Sequence, residues 1–128
     1  MTKKQFEKIV TEVGLSAVPK QFRSKIENVA FVIEDEPDDR TRNEEQLDDD
    51  ETLLGLYHGI PQTRRAEGYG IGGTLPDTIT LYRIPIEEEG EGNAKKIREV
   101  IKETIWHEVA HHFGLDDHDI DELSTTHR

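Results

Sequence analysis

Apolar residues recur at helical spacing near the start of the chain, at Phe6, Ile9, Val10 and Val13, and Gly14 follows them directly. That pattern predicts a first helix of about three turns. A second short helix is expected after Pro19, with Phe22 and Ile26 on its inward edge. Val29 to Ile33 is a compact run of β-branched and aromatic residues, which suits a buried strand. The pattern then breaks: Glu34 to Glu51 holds eleven carboxylates, Pro37 near its start and only Leu47 as a strongly apolar residue. Such a stretch reads as a solvated loop or surface helix. Two further apolar runs follow, Leu53 to Ile60 and Thr78 to Ile86, and in the second Ile79, Leu81 and Arg83 alternate as in a strand with one exposed face. Between them, Pro61 to Pro76 carries Gly68, Gly70, Gly72 and Gly73, which mark flexibility or tight turns. No G-K-[ST] follows these glycines, so they do not form a phosphate loop. After a hinge at Glu87 to Gly92, a long helix is predicted to about Phe113, and a last short one from Asp117 through Leu123.

Composition narrows what these elements can build. A length of 128 residues suits one domain, 1–128, with a modest core. The net charge of −12 argues against nucleic acid or an anionic membrane as a partner, since phosphate binding favours a basic surface. Cysteine is absent, which removes both disulfides and thiolate ligands, so any metal must be held by nitrogen and oxygen. The stretch from Met1 to Val13 mixes Lys3, Lys4, Glu7, Lys8 and Glu12 with its apolar residues, unlike a signal peptide, and no run is long enough for a transmembrane span. A cytoplasmic location is the resulting expectation.

The candidate chemistry sits in the long helix. His107, Glu108 and His111 form H-E-x-x-H, continued by Gly114 and Asp117 as H-E-x-x-H-x-x-G-x-x-D. Residues four apart lie about 40° from each other on one helix face, so two imidazoles at that spacing can grip one ion. Glu108 stands about 100° around the helix, poorly placed as a ligand but able to reach a water on the ion, where zinc hydrolases use such a carboxylate as general base. A projection of the helix gathers Ala94, Ile101, Ile105, Trp106, Val109 and Phe113 on the core side and leaves His107 and His111 roughly opposite, while His112 falls near the apolar edge as a packed or hydrogen-bonded ring. Gly114 can take the positive φ that stops a helix. Asp117 stands where the longer motif has its third ligand; His118 is the rival, and the other carboxylates suit a cap for the last helix, with Asp117 or Asp119 near its N-terminus favoured by the dipole.

Beyond the motif, Glu34-Asp35-Glu36-Pro37, Leu53-Leu54-Gly55-Leu56-Tyr57-His58-Gly59, Leu75-Pro76-Asp77 and Ile79-Thr80-Leu81-Tyr82-Arg83 together with His107 to Asp117 resemble the small single-domain zincin-like metallopeptidases of bacteria. The resemblance implies an α+β minimal zincin-like fold: a small β-sheet packed on a long active-site helix, with further N- and C-terminal helices and substrate along a sheet edge. It implies a Zn2+-dependent metallopeptidase with His107, His111 and Asp117 on the metal, Glu108 as general base on the metal-bound water, and a peptide or protein as substrate. The methionine turn of metzincins has no counterpart, because Met1 is the chain's single methionine. A second donor for the oxyanion could come from Tyr57, His58, Tyr69, Tyr82 or His127, though packing is the better role for the tyrosines. The alternative is a non-catalytic metal-binding module whose acidic surface holds a basic partner.

Overall fold

Helix α1 (Lys3–Val13) begins at a capping box in which the Gln5 N–H donates to Thr2 Oγ1 at 3.1 Å and the Thr2 N–H donates to Gln5 Oε1 at 2.8 Å. This is a computed structural model, and it describes residues 1–26, 28–59, 76–116 and 118–120. The face of α1 carrying Phe6, Val10 and Val13 is buried, as its spacing predicts. A 3-10 turn (Gly14–Ala17) and the single-turn helix α2 (Lys20–Arg23) lead to strand β1 (Val29–Glu34). The acidic stretch contributes the surface helix α3 (Asp39–Glu44), capped by Asp38, whose Oδ1 accepts the Thr41 N–H at 2.8 Å. Strands β2 (Gly55–His58) and β3 (Asp77–Tyr82), then helices α4 (Arg83–Glu89) and α5 (Ala94–His112), complete the described elements.

The sheet has the order β1-β3-β2, with β1 parallel to β3 (Phe31 opposite Ile79) and β2 antiparallel to it (Tyr57 opposite Ile79). The fold is therefore α+β, with α5 packed against a small sheet. Its core joins Phe6, Val10 and Val18 from the N-terminal segment, Ile79 and Leu81 from β3, Ile86 from α4, and Ile97, Ile101, Ile105 and Val109 from α5.

Four details depart from the sequence pattern. Strand β1 is half-buried, with Val32 38% exposed, because among the described residues it has β3 as its one neighbour; the fully buried residues belong to central β3. The alternation at Ile79, Leu81 and Arg83 does not continue as a strand to Ile86: the chain turns into α4 at Arg83, so the expected hinge at Glu87 is helical up to Glu89. Pro85 fits there because the first N–H groups of a helix have no intrahelical partner. The corner is held by Arg83, whose Nε donates to Asp35 Oδ1 at 3.1 Å and whose Nη1 donates to Glu87 Oε2 at 2.8 Å. Ala94, expected in the core, is exposed at the first turn of α5, and Ile97 takes that place. The cap of the final helical turn is Asp116, with its Oδ1 accepting the Asp119 N–H at 2.9 Å, and residues 118–120 are helical. The rest of the helix expected from Asp117 through Leu123, and the glycine-rich stretch at 60–75, lie outside the described residues.

Strand β2 lies hard against α5. A Cβ on Gly55 would stand 2.7 Å from Thr104 Cγ2 and 3.0 Å from the Thr80 carbonyl oxygen. Gly55→Ala is expected to destabilise the protein by about 1–3 kcal/mol in urea unfolding, the usual range for overpacking. Adding Thr104→Ser, which keeps the hydroxyl bond to the Val100 carbonyl but removes the methyl, should recover part of that loss. No recovery in the double variant would mean that the clash is not with Thr104.

Candidate metal centre

Helix α5 starts at Asn93, whose Oδ1 accepts the Lys96 N–H at 3.1 Å, and it ends in a Schellman turn. There the Gly114 N–H donates to the His111 carbonyl at 2.9 Å, the Leu115 N–H donates to the Ala110 carbonyl at 3.0 Å, and Gly114 has φ +81°. The glycine anticipated as a helix stop therefore acts as one, and it turns the chain one residue past the second imidazole's helical turn. Ile105, Val109 and Ala110 fill the core side of the last two turns. That anchoring leaves His107 half-buried and His111 exposed on the other side, their ring centroids 4.8 Å apart.

Glu108 sits beside this pair and faces β2. Its Oε1 accepts the backbone N–H of Tyr57 at 3.1 Å, from the edge of β2 not paired with β3. Burial raises the pKa of the Glu108 carboxyl above the ordinary 4.5, opposed by the Tyr57 N–H and by His111 and His107. Tyr57 is itself fixed: its hydroxyl donates to Asp77 Oδ2 at 2.6 Å, and its ring stacks on His112 with centroids 4.0 Å apart. His112 is thus exposed yet packed, as its position at the apolar edge implied.

The other candidates separate in the same way. With its hydroxyl on Asp77, Tyr57 is not set up as an oxyanion donor; Tyr82 is 2% exposed, its phenol pushed up first by burial and then by Glu34, which fits packing. His58 is exposed at the end of β2. Asp116 and Asp119 are joined by reciprocal bonds to each other's backbone N–H groups, which accounts for both as caps. His118 is exposed on the following turn. Asp117, Tyr69 and His127 lie outside the described residues, and among the described residues no three His, Cys, Asp or Glu side chains form a group able to hold a metal ion.

A groove of about 320 Å³ opens at His107 and Glu108, between α5 and the segment leading into β2. A larger cavity of about 520 Å³, lined by Ser16, Arg23 and Trp106 among others, touches none of the motif residues, so size does not mark the site here. A family model for zincin-like metallopeptidases matches residues 26–127. The chain belongs to that family. At family level this sets a zinc-peptidase type of function for the zincin-like chain. No curated protein matches it. Among the described residues no helix is long and apolar enough to cross a membrane.

The position of Glu108 in the zincin-like helix has a measurable cost. A carboxyl whose folded pKa is raised destabilises the fold where it must ionise, and that cost vanishes where it is protonated in both states, below about the ordinary 4.5. Glu108→Gln keeps an acceptor for the Tyr57 N–H. The metal-free variant is therefore expected to melt above the parent at neutral pH, with the gap closing as the pH falls through the raised folded value towards about 4.5 and absent below that. A gap that is the same at both ends of this range would count against desolvation as its cause.

Proposed function

We propose that the chain hydrolyses peptide bonds, with His107, His111 and Asp117 holding Zn2+ and Glu108 acting as general base. The observation that carries the reading is the arrangement on α5: two imidazoles with ring centroids 4.8 Å apart on one face, flanked by a desolvated carboxylate held by the Tyr57 N–H of β2. Two ring nitrogens and a carboxylate form a borderline donor set suited to zinc, in a chain that has no thiolate to offer. A zinc ion bound there supplies Lewis acidity, polarising the scissile carbonyl and acidifying the attacking water.

The protein's own groups divide the remaining work. The side of strand β2 away from β3 lies next to Glu108, and an extended peptide substrate can lie alongside it. Glu108 takes the proton from the attacking water. Burial favours this, since it makes the carboxylate a stronger base than one in bulk solvent. The same carboxyl then hands the proton to the departing amine, which must be protonated to leave. The Tyr57 N–H holds one carboxylate oxygen and so fixes the direction in which the other points.

Elemental analysis and digestion of an unfolded substrate test the assignment together. Glu108→Gln is expected to retain about one zinc per chain and to lose roughly 10²–10⁴-fold in hydrolysis, the usual worth of a general base. His107→Ala and His111→Ala should lose the metal. Asp117→Ala should weaken zinc binding by at least about 100-fold, beyond the loss seen for outer-shell partners, while His118→Ala should change it little. Undiminished hydrolysis by Glu108→Gln would remove the general-base role, and a zinc affinity sensitive to His118 but not Asp117 would exchange the third ligand.

A further inference from the structure

The groove beside Glu108 carries a chemical bias of its own. From His107 and Glu108 it runs back along α5 to Val100, with Leu53 and Leu54 on the facing wall. These three apolar side chains are half-buried. Glu103 lines the α5 side and Glu89, from the end of α4, the end nearer the start of α5; both are exposed, and no lysine or arginine lines the groove.

Neither carboxylate is neutralised from within. Arg83 pairs with Asp35 and Glu87, Lys96 with Glu91, and Lys102 with Glu99, while Lys20 and Arg23 line the separate cavity of about 520 Å³ that Glu103 also borders and form no ion pair with Glu103. Among the described residues Glu89 and Glu103 have no ion pair. At Thr52 the groove adjoins a second depression, of about 480 Å³, where six carboxylates face one guanidinium, that of Arg42. Arg42 is itself bonded to the Asp48 carbonyl at 2.6 Å.

An apolar trough with carboxylates along its side and end matches a side chain with an aliphatic stem and a cationic head, which can cover apolar surface while its charge stays hydrated. Unpaired charges of one sign in a concave surface also concentrate ions of the other sign. We propose that this groove is a specificity subsite for a lysine or arginine side chain of an extended polypeptide substrate, held next to the bond to be cleaved. The assignment of that polypeptide as substrate rests on the peptidase reading; the preference of the groove does not. Leu54 and Val100 take the stem, and Glu89 and Glu103 take the charge.

Binding to the zinc-loaded full chain carrying Glu108→Gln, followed by fluorescence anisotropy, tests the groove without turnover. The probes are labelled peptides identical except for one residue, moved through each position and set as lysine, norleucine, diaminopropionate or glutamate. At the position that enters the groove, lysine should bind roughly three- to tenfold tighter than norleucine, as expected for solvent-exposed ion pairs. Diaminopropionate, with too short a stem, should be weaker than lysine, glutamate should be weakest, and the lysine advantage should shrink at high salt. Glu89→Gln with Glu103→Gln should abolish the lysine-over-norleucine preference. Glu89→Lys with Glu103→Lys should turn it towards glutamate.

Glu7→Gln with Glu44→Gln makes the same change in net charge away from the groove and should leave the preference intact. A preference that survives removal of Glu89 and Glu103, one lost equally in the remote variant, or no peptide binding at all would each overturn the proposal. Parallel incubation of the parent protein with the same peptides separates the two readings. If nothing is cleaved while lysine peptides still bind through Glu89 and Glu103, hydrolysis falls and the groove stands; if peptides are cleaved without regard to lysine, the reverse holds.

Discussion

The approach of β2 to α5 is the constraint on which the site depends. Tyr57 can deliver its N–H to Glu108 only if the strand comes within hydrogen-bonding distance of the helix, and that approach is set two residues earlier, where Gly55 leaves room for the Thr104 methyl. The spacings agree. Two strand residues advance about 6.6 Å, and the four helix residues from Thr104 to Glu108 advance about 6 Å. One close contact therefore brings the next into register, and a side chain at position 55 would push the strand edge away from the carboxylate.

That approach also accounts for the character of Glu108. A carboxylate on an open helix face would be well hydrated. Here the strand covers it and burial becomes the leading influence on its ionisation, ahead of the single N–H it receives and the two imidazoles beside it. The fold thus places a reluctant anion next to two imidazoles near the C-terminal end of a helix, where the backbone dipole favours positive charge. Each of these conditions is relieved by a cation. The chain's acidity works in the same direction, although two described carboxylates of the following turn, Asp116 and Asp119, are occupied in capping.

Much of this was readable in the residues, and what was not has physical causes. The long helix, its apolar stripe and the exposure of the histidine face follow from a 3.6-residue period, and the glycine stop follows from backbone freedom at Gly114. Strand β1 looked buried because five apolar residues in a row say nothing about whether a strand has one neighbour or two. Helix α4 was hidden because Ile79, Leu81 and Arg83 alternate and Pro85 argues against helix, until its place in the first turn makes it harmless. The bond from Tyr57 to Glu108 spans 51 positions and uses a backbone donor, so no residue type announces it. Gly55 was the available signal: a glycine inside an apolar strand often marks a neighbour that comes unusually close.

The N-terminal 25 residues stand outside the family match, yet they are not peripheral to the fold. Phe6, Val10, Val13 and Val18 join the same core cluster as Ile97, Ile101 and Ile105, and Glu12 accepts from Arg98 Nη2 at 2.7 Å. Helix α5 is thereby packed from two sides, by the sheet and by α1 with the turn that follows it. A three-stranded sheet can cover only one flank of a 19-residue helix. Without a second layer the isoleucines on the other flank would face water, at roughly 1.5–3 kcal/mol for each large side chain left exposed. The segment from Lys3 to Val18 supplies that layer, and so holds the helix rigid from the side opposite to the one on which His107 and His111 emerge.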